Sequence, residues 1–375
     1  MSGYSETSQG NISVSSHNLT SPSICAEVDD ATKVAARIQR NITPIICILG
    51  IIGNTLATIV FLSKSQRKTS CSLYLAARSI SDTGFLTTLF IVCLTDLGIN
   101  IFNVDGICQV VIFLTYICGF LSVWFVVMVT VENYIRICHP FKVNQHCTVK
   151  TAKIVIAGFV FVSLLLYNFP LWTTGIHVGP DGSKMCARHS VYDKINQIVT
   201  YSDTVITLIV PILMIICLMI AITCSILEFL HRQTRLKGKR QNSNDRRHSS
   251  PQSKVTRLLF SVSFVFITLT LPSHVIRIQM TLKYLYFSSA SIICPTMAEL
   301  AIQKVFLILY YLSFSVNILV YLSFGQKFRK NFIEIFLSNC CCRFKYGHQE
   351  LVTIPNSDMK KTKCTFVQTD RCTEV

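Results

Sequence analysis

The chain reads as an all-α membrane protein, a seven-transmembrane-helix bundle with a short amphipathic helix after helix 7. Three observations predict this. Seven uncharged apolar stretches recur, at residues 45–62, 83–95, 106–131, 154–176, 205–227, 258–276 and 305–326. Positive charge in the connecting segments alternates from one connection to the next. Of 375 residues, 51% are hydrophobic and only 14% charged, which leaves little for a separate soluble domain.

Each stretch is justified in turn by length. A bilayer core of ~30 Å needs about 20 helical residues. Most of the stretches suffice alone, and the second gains its length from the polar-studded lead-in at residues 72–82. Orientation follows from Lys and Arg, which accumulate in cytoplasmic connections near helix ends. The first connection carries Lys64, Arg67 and Lys68; the third carries Arg136, Lys142, Lys150 and Lys153. The fifth carries Arg232, Arg235, Lys237, Lys239, Arg240, Arg246, Arg247 and Lys254, whereas the second, around Asp96 and Asp105, has neither Lys nor Arg. The N-terminus is therefore expected outside and the C-terminus inside. The expected organisation is an extracellular tail over 1–40, the membrane domain over 41–324, an amphipathic surface helix over 325–338 and a cytoplasmic tail over 339–375. The formal charge of +16 sits beside apolar spans rather than on one soluble face. That distribution fits anionic lipid headgroups and a cytoplasmic partner better than nucleic acid.

The outer tail is polar and offers Asn11-Ile-Ser13 and Asn18-Leu-Thr20 as glycosylation acceptors; Asn41-Ile-Thr43 also fits the pattern but lies too near the membrane. No apolar run precedes them, so the first span is expected to act as the export signal. Most of the 17 cysteines are small apolar residues inside helices. Only Cys25, Cys108, Cys186 and Cys294 fall outside the membrane, in an oxidising compartment where pairing is expected. Cys108 with Cys186 is the first pair to expect, and Cys25 with Cys294 remains as a second.

Several further residues recur in a particular order. Helix 1 has Gly53-Asn54; helix 2 has Leu75-Ala76 and then Asp82; helix 3 opens with Cys108 and closes with Glu132-Asn133-Tyr134. Cys138-His139-Pro140, Pro211, Phe266, Pro272, Asn317, Tyr321 and Phe328-Arg329 follow. As an ordered set, these motifs resemble the rhodopsin-like (class A) G-protein-coupled receptors of neuropeptide-receptor type, from helix 1 to the tail. The resemblance implies a plasma-membrane receptor with no catalytic site and no cofactor. It also implies a heterotrimeric G protein and arrestin as partners, and an outward swing of the inner half of helix 6, residues 254–266, about the kink at Pro272. Pro211 is expected to kink helix 5 in the same way.

Polar residues inside apolar helices are costly unless they face the bundle interior. Asn54, Asp82, Ser122, Ser313 and Asn317 are expected to form one hydrogen-bonded core, or else simply to glue helices together. In the resembled family such a cluster holds a sodium ion. Arg78, four residues before Asp82, either pairs with it on one helix face or snorkels to the inner headgroups. Paired, it would occupy the space of a sodium ion. The family's helix 3 motif has Arg where this chain has Asn133, so the usual latch at the Glu132, Asn133, Tyr134 end loses its cation. Thr270, Ile318, Met219 and the pair Val160-Phe161 also depart from the family's switch pattern. These departures keep open a second reading, a decoy that binds ligand without coupling. A transporter or channel would show internal repeats or broken helices, and the sequence has neither.

The ligand site is expected between the outer halves of helices 3, 5, 6 and 7. Against the resemblance, Thr115 stands where amine receptors carry an Asp, and Tyr311 where opsins carry the retinal-binding Lys. The remaining lining, Gln109, Thr115, Tyr116, Tyr201, His274, Arg277, Gln303, Tyr310 and Tyr311, mixes aromatic faces with amide and cationic donors. It suits a peptide whose carbonyls and anionic groups Arg277 receives, while Asp96 offers a place for a basic ligand residue. Packing alone is the plainer reading of Tyr310 and Tyr311. On the inner side, Lys254 falls in a basic, Ser-rich loop in which Arg246-Arg247-His248-Ser249 resembles a basophilic kinase site, with Ser250-Pro251 beside it. Phe328, Phe332, Ile335 and Phe336 oppose Lys327, Arg329 and Lys330 on a surface helix. Cys340, Cys341 and Cys342 follow as palmitoylation sites. The terminal Thr373 and Val375 match a PDZ-domain ligand.

Overall fold

A computed structural model describes residues 30–180, 182–237, 251–287 and 297–337. The glycosylation acceptors Asn11 and Asn18, Cys25, Cys294, Ser249, Ser250, Cys340, Cys341, Cys342, Thr373 and Val375 lie outside the described residues, as does the side chain of Lys254. Among the described residues, seven helices are long and apolar enough to span a membrane. Helix 1 is Asp30–Phe61, helix 2 Ser70–Asp96, helix 3 Ile107–Cys138 and helix 4 Val149–Leu166. Helix 5 runs as Asp193–Asp203, a π-helical stretch Thr204–Ile209, and Val210–Lys237. Helix 6 is Pro251–Phe287, and helix 7 is Met297–Ser315 followed by Asn317–Phe324.

Local chemistry sets several boundaries. Helix 1 starts at Asp30, inside the stretch read from sequence as tail, because Ala, Lys, Arg and Gln favour helix and Asp30 complements the N-terminal dipole. Helix 2 ends in a paired cap: Gly98, at φ 82°, donates to the Thr95 carbonyl and Ile99 donates back to Leu94. Helix 4 is capped by the Thr148 hydroxyl, which accepts from the Thr151 amide at 3.1 Å.

The apolar run expected to carry helix 4 to residue 176 does not do so. The helix stops at Leu166, a short turn Pro170–Thr173 follows, and Ile176 lies in a strand. Pro170 cannot continue the ladder. Strands β1 (Thr174–Val178) and β2 (Lys184–Arg188) form an antiparallel hairpin, with Ile176 opposite Cys186 and Thr174 opposite Arg188. A disulfide between Cys108 and Cys186 ties β2 to the first turn of helix 3, with Cα atoms 5.9 Å apart.

Among the described residues, two apolar clusters hold the helices together. Ile46 and Cys47 of helix 1, Phe85, Leu86, Leu89 and Cys93 of helix 2, and Tyr311 and Phe314 of helix 7 form one. Val123, Val126 and Val127 of helix 3, Ile215 and Met219 of helix 5, and Phe266 of helix 6 form the other. Helix 1 approaches helix 7 closely at Gly53, where a Cβ would sit 2.8 Å from Ile318 Cγ2. The Phe314 carbonyl there accepts from the side-chain amides of both Asn54, at 2.8 Å, and Asn317, at 3.3 Å. Side chains competing for that carbonyl account for the interruption of helix 7 at Val316. The interruption is reached without a proline.

Pro211 lies two residues after the π-helical stretch of helix 5, so the missing amide is absorbed by a widened turn. Helix 6 runs continuously through Pro272. Beyond helix 7, Gln326–Phe332 is a short helix whose Phe328 is buried against Phe61 and Tyr321, while Lys327, Arg329 and Lys330 are exposed. In the described residues from Phe332 to Leu337, the rings of Phe332 and Phe336 lie 5.0 Å apart.

Candidate functional site

The polar residues fall into three clusters, one at the centre of the bundle, one at the hairpin end and one at the opposite end. At the centre the Asp82 carboxylate is fully buried. The Ser122 hydroxyl donates to its Oδ1, and the Asn317 amide donates to its Oδ2 at 2.6 Å. Arg78 Nε lies 3.6 Å from the same Oδ2, and its guanidinium stands over the Phe266 ring, 5.6 Å from the centroid.

Arg78 is 1% exposed, so the snorkelling alternative does not hold. One turn separates the two residues, and that geometry directs Arg78 to Asp82 rather than to the headgroups. Its Nε and Nη1 make no hydrogen bond among the described residues. Ser313 does not join this core either, because its hydroxyl donates to Tyr310 in its own helix at 2.7 Å. Asn54 joins through the Phe314 carbonyl it shares with Asn317. Tyr321 packs edge-on against Phe61, with centroids 4.9 Å apart. Thr270 spends its hydroxyl on the Phe266 carbonyl at 2.8 Å.

The Asp82 site does not fit a sodium ion. Both carboxylate oxygens already accept hydrogen bonds and the single negative charge is matched by Arg78. A second cation would face an uncompensated guanidinium in a low dielectric. Among the described residues, no group of three or more His, Cys, Asp or Glu side chains is placed to hold a metal ion.

At the hairpin end the centre is an ion pair that sequence reasoning half missed. Arg277 of helix 6 donates to Asp203 Oδ2 of helix 5 at 3.2 Å. Asp203 Oδ1 accepts from the hydroxyls of Tyr167, at 2.9 Å, and Thr207, at 2.7 Å. Tyr116 stacks on Tyr167 with centroids 5.5 Å apart, and its hydroxyl accepts from Arg188 Nη2 of β2 at 3.1 Å. His274, buried one turn before Arg277, meets the Tyr310 ring at 5.6 Å. Tyr116, His274, Arg277 and Tyr310 of the expected lining are thus brought to one region.

Others are not. Gln109 turns back to cap its own helix, accepting from the Gly106 amide at 2.7 Å and donating to Asp105 at 2.8 Å. Gly106 there has φ 81°, a conformation that favours glycine. Thr115 bonds to the Val111 carbonyl, and the Tyr201 hydroxyl accepts from Gln197 on its own helix. Tyr311 lies in the cluster between helices 1, 2 and 7. Gln303 on helix 7 is half-buried. Asp96 lines a separate cavity of about 380 Å³ with Arg40, Asn41, Pro44, Cys93 and Leu97. Asp203 escaped notice because it stands two residues before the apolar run of helix 5, and Arg188 because it follows a loop cysteine. A lone acid just outside an apolar core is a usable signal.

At the opposite end, Glu132 is buried and paired with Arg136, one turn on in helix 3. The Ser70 hydroxyl of helix 2 donates to the same carboxylate oxygen at 2.7 Å and also contacts the Cys147 carbonyl at 3.1 Å. Burial and the neighbouring Glu132 carboxylate push the Cys147 thiol above its ordinary range. The position after Glu132 is Asn133, as expected, and the guanidinium that pairs with Glu132 comes from Arg136, one turn on. Asn133 is buried with neither amide atom hydrogen-bonded among the described residues. Tyr134 contacts the ring of His139.

Comparison with known proteins extends this geometry. The family model described as "7 transmembrane receptor (rhodopsin family)" matches residues 53–331. The chain is similar to the somatostatin receptor type 2 of Mus musculus, 26% identical over 329 residues that cover 87% of this chain and 82% of the relative. It is similar to the somatostatin receptor type 4 of Rattus norvegicus, 23% identical over 301 residues, 79% of this chain and 72% of the relative. The FMRFamide receptor of Drosophila melanogaster is 27% identical over 315 residues, 78% of this chain and 52% of that protein.

Proposed function

The chain belongs to the rhodopsin family of seven-transmembrane receptors, and on that premise we propose that it is a plasma-membrane receptor for an extracellular peptide that signals through a heterotrimeric G protein. The hairpin end faces outside and the Glu132 end faces the cytosol, as the charge of the connecting segments requires. Relatives named for somatostatin and FMRFamide support a peptide ligand. The observation that carries the reading is the Asp203–Arg277 pair between helices 5 and 6, set among Tyr116, Tyr167 and Tyr310. Ionisable groups inside a helical bundle are costly to keep and mark functional sites. Aromatic faces with charged hydrogen-bonding groups suit peptide backbone and side chains together.

Transmission runs through the centre. Arg78 holds Asp82 of its own helix and touches Phe266 of helix 6, so movement of helix 6 must change the surroundings of a buried charge pair. At the cytosolic end the Glu132–Arg136 pair, braced by Ser70 of helix 2, acts as the latch that a G protein releases. Glycans at Asn11 and Asn18, palmitate on Cys340, Cys341 and Cys342, arrestin, and a PDZ partner at Thr373 and Val375 complete the proposal.

A decoy that binds without coupling is the second reading, and buried Asn133 with its unbonded amide favours it. A peptide library applied to expressing cells, with second-messenger readouts, separates the two. The expected result is a responding peptide whose potency falls roughly 10- to 100-fold in Arg277→Gln, as loss of a charge-assisted hydrogen bond requires. Binding with no response in any pathway, together with a response restored by Asn133→Arg, would establish the decoy instead.

A further inference from the structure

The hairpin end carries more positive than negative charge, and its carboxylate is already engaged. Asp203 accepts from Tyr167, Thr207 and Arg277, which occupies both of its oxygens. Arg188, exposed on β2, bonds only to a neutral phenol in this cluster and lies within 4.0 Å of no Asp or Glu among the described residues. Arg188, Asp203 and Arg277 all act electrostatically on the Tyr116 phenol. Arg277 is matched by Asp203, so Arg188 is the guanidinium of this cluster that has no carboxylate beside it among the described residues.

A second observation is independent of charge. Two polar side chains on the helices that carry this pair are more than nine-tenths buried and, among the described residues, have open hydrogen-bonding positions: His274 at Nε2, and Asn196 at both amide atoms. His274 shares a helix 6 face with Arg277, three residues on. Asn196 shares a helix 5 face with Asp203, two turns on. Buried polar groups left unbonded cost about 1–3 kcal/mol each, so their presence together calls for an explanation.

We infer that the ligand places a carboxylate between Arg188 and Arg277, while His274 and Asn196 hydrogen-bond its neighbouring amide groups. This rests on the peptide reading and deepens it by assigning the charge of the inserted group. A carboxylate presents two planar acceptors that match a guanidinium fork. A cationic group would meet two like charges and a carboxylate already held by three donors. The ligand's own C-terminus and an Asp or Glu side chain supply the same chemistry.

The test uses purified full-length receptor in nanodiscs and thermal stabilisation as the binding readout, which does not depend on coupling. The probes are synthetic peptide pools in matched pairs: free C-terminal acid against C-terminal amide, and Asp or Glu against Asn or Gln within the chain. A pool of small non-peptide carboxylates, with their carboxamides, accompanies them. Acid members are expected to stabilise at concentrations at least 10-fold lower than their amide partners, and the pair that shows the difference identifies the source of the carboxylate. Arg188→Gln, at an exposed position, is expected to weaken them 10- to 100-fold, with partial recovery in Arg188→Lys.

Amide or basic peptides that bind as well as acids, or acid binding indifferent to Arg188→Gln, would overturn the carboxylate assignment and leave the peptide reading standing. Arg188-dependent binding of non-peptide carboxylates alone would support the assignment and overturn the peptide reading. Stabilisation by no pool would count against the assignment.

Discussion

Asp82→Asn is expected to destabilise the receptor by about 3–5 kcal/mol, the cost of leaving one member of a buried ion pair without its partner. The substitution preserves shape, and asparagine still accepts from Ser122; it removes the charge and, with it, the second oxygen that accepts from Asn317. Arg78 has no route to water at 1% exposure, and among the described residues Asp82 is the only carboxylate within 4.0 Å of its guanidinium. Arg78→Leu with Asp82→Asn should recover most of the loss, because removing both charges is close to neutral. Thermal unfolding of the four proteins forms a double-mutant cycle that isolates the pair. Equal loss in the single and double variants would mean that the pair carries no coupling. The same preparations report on sodium. Melting of the unmodified receptor is expected to be the same in sodium and choline buffers, whereas Arg78→Leu, which exposes the Asp82 charge, should gain a dependence on sodium. A large sodium effect on the unmodified chain would contradict internal neutralisation.

Cys108→Ala is expected to cost about 2–5 kcal/mol, the usual range for removing a native disulfide. The bond closes a loop with a sequence separation of 78, spanning most of helix 3, all of helix 4 and the hairpin. Its loss also reaches the ligand site. Arg188 follows Cys186 by two positions on β2 and reaches Tyr116 only while that strand is held over helix 3. Thermal unfolding and peptide binding should therefore fall together, with Cys186→Ala matching Cys108→Ala and the double variant no worse than either. Unfolding and binding unchanged in Cys108→Ala would show that the hairpin is positioned by its own contacts.

The spans and the Arg78–Asp82 pairing follow from local pattern, and the Cys108–Cys186 link from which cysteines fall outside the membrane, whereas Ser313, expected in the central cluster, bonds within its own helix. Apolar runs give the helices because each must satisfy its own backbone in lipid, and Arg78 reaches Asp82 because one helical turn separates them. What the pattern hides depends on tertiary partners. Residues 30–40 look like a polar tail, yet they continue helix 1. The apolar content of Thr174–Val178 suits a helix end as well as a strand, and Pro170 with the Cys186 tether decides for the strand. Asp203 and Arg277 are 74 positions apart, and nothing along the chain announces that they meet. Arg136 reads as one basic residue among several in its connection until the burial of Glu132 shows what it pairs with.

Coupling itself is tested most directly without any ligand, by nucleotide exchange on purified heterotrimers with receptor in nanodiscs, comparing the unmodified chain with Glu132→Gln and Arg136→Gln. If the Glu132–Arg136 pair is the latch, weakening it by about 1 kcal/mol should raise basal exchange roughly fivefold. Exchange at the level of empty nanodiscs in all three folded receptors, whichever heterotrimer is supplied, would contradict a signalling role and leave the decoy.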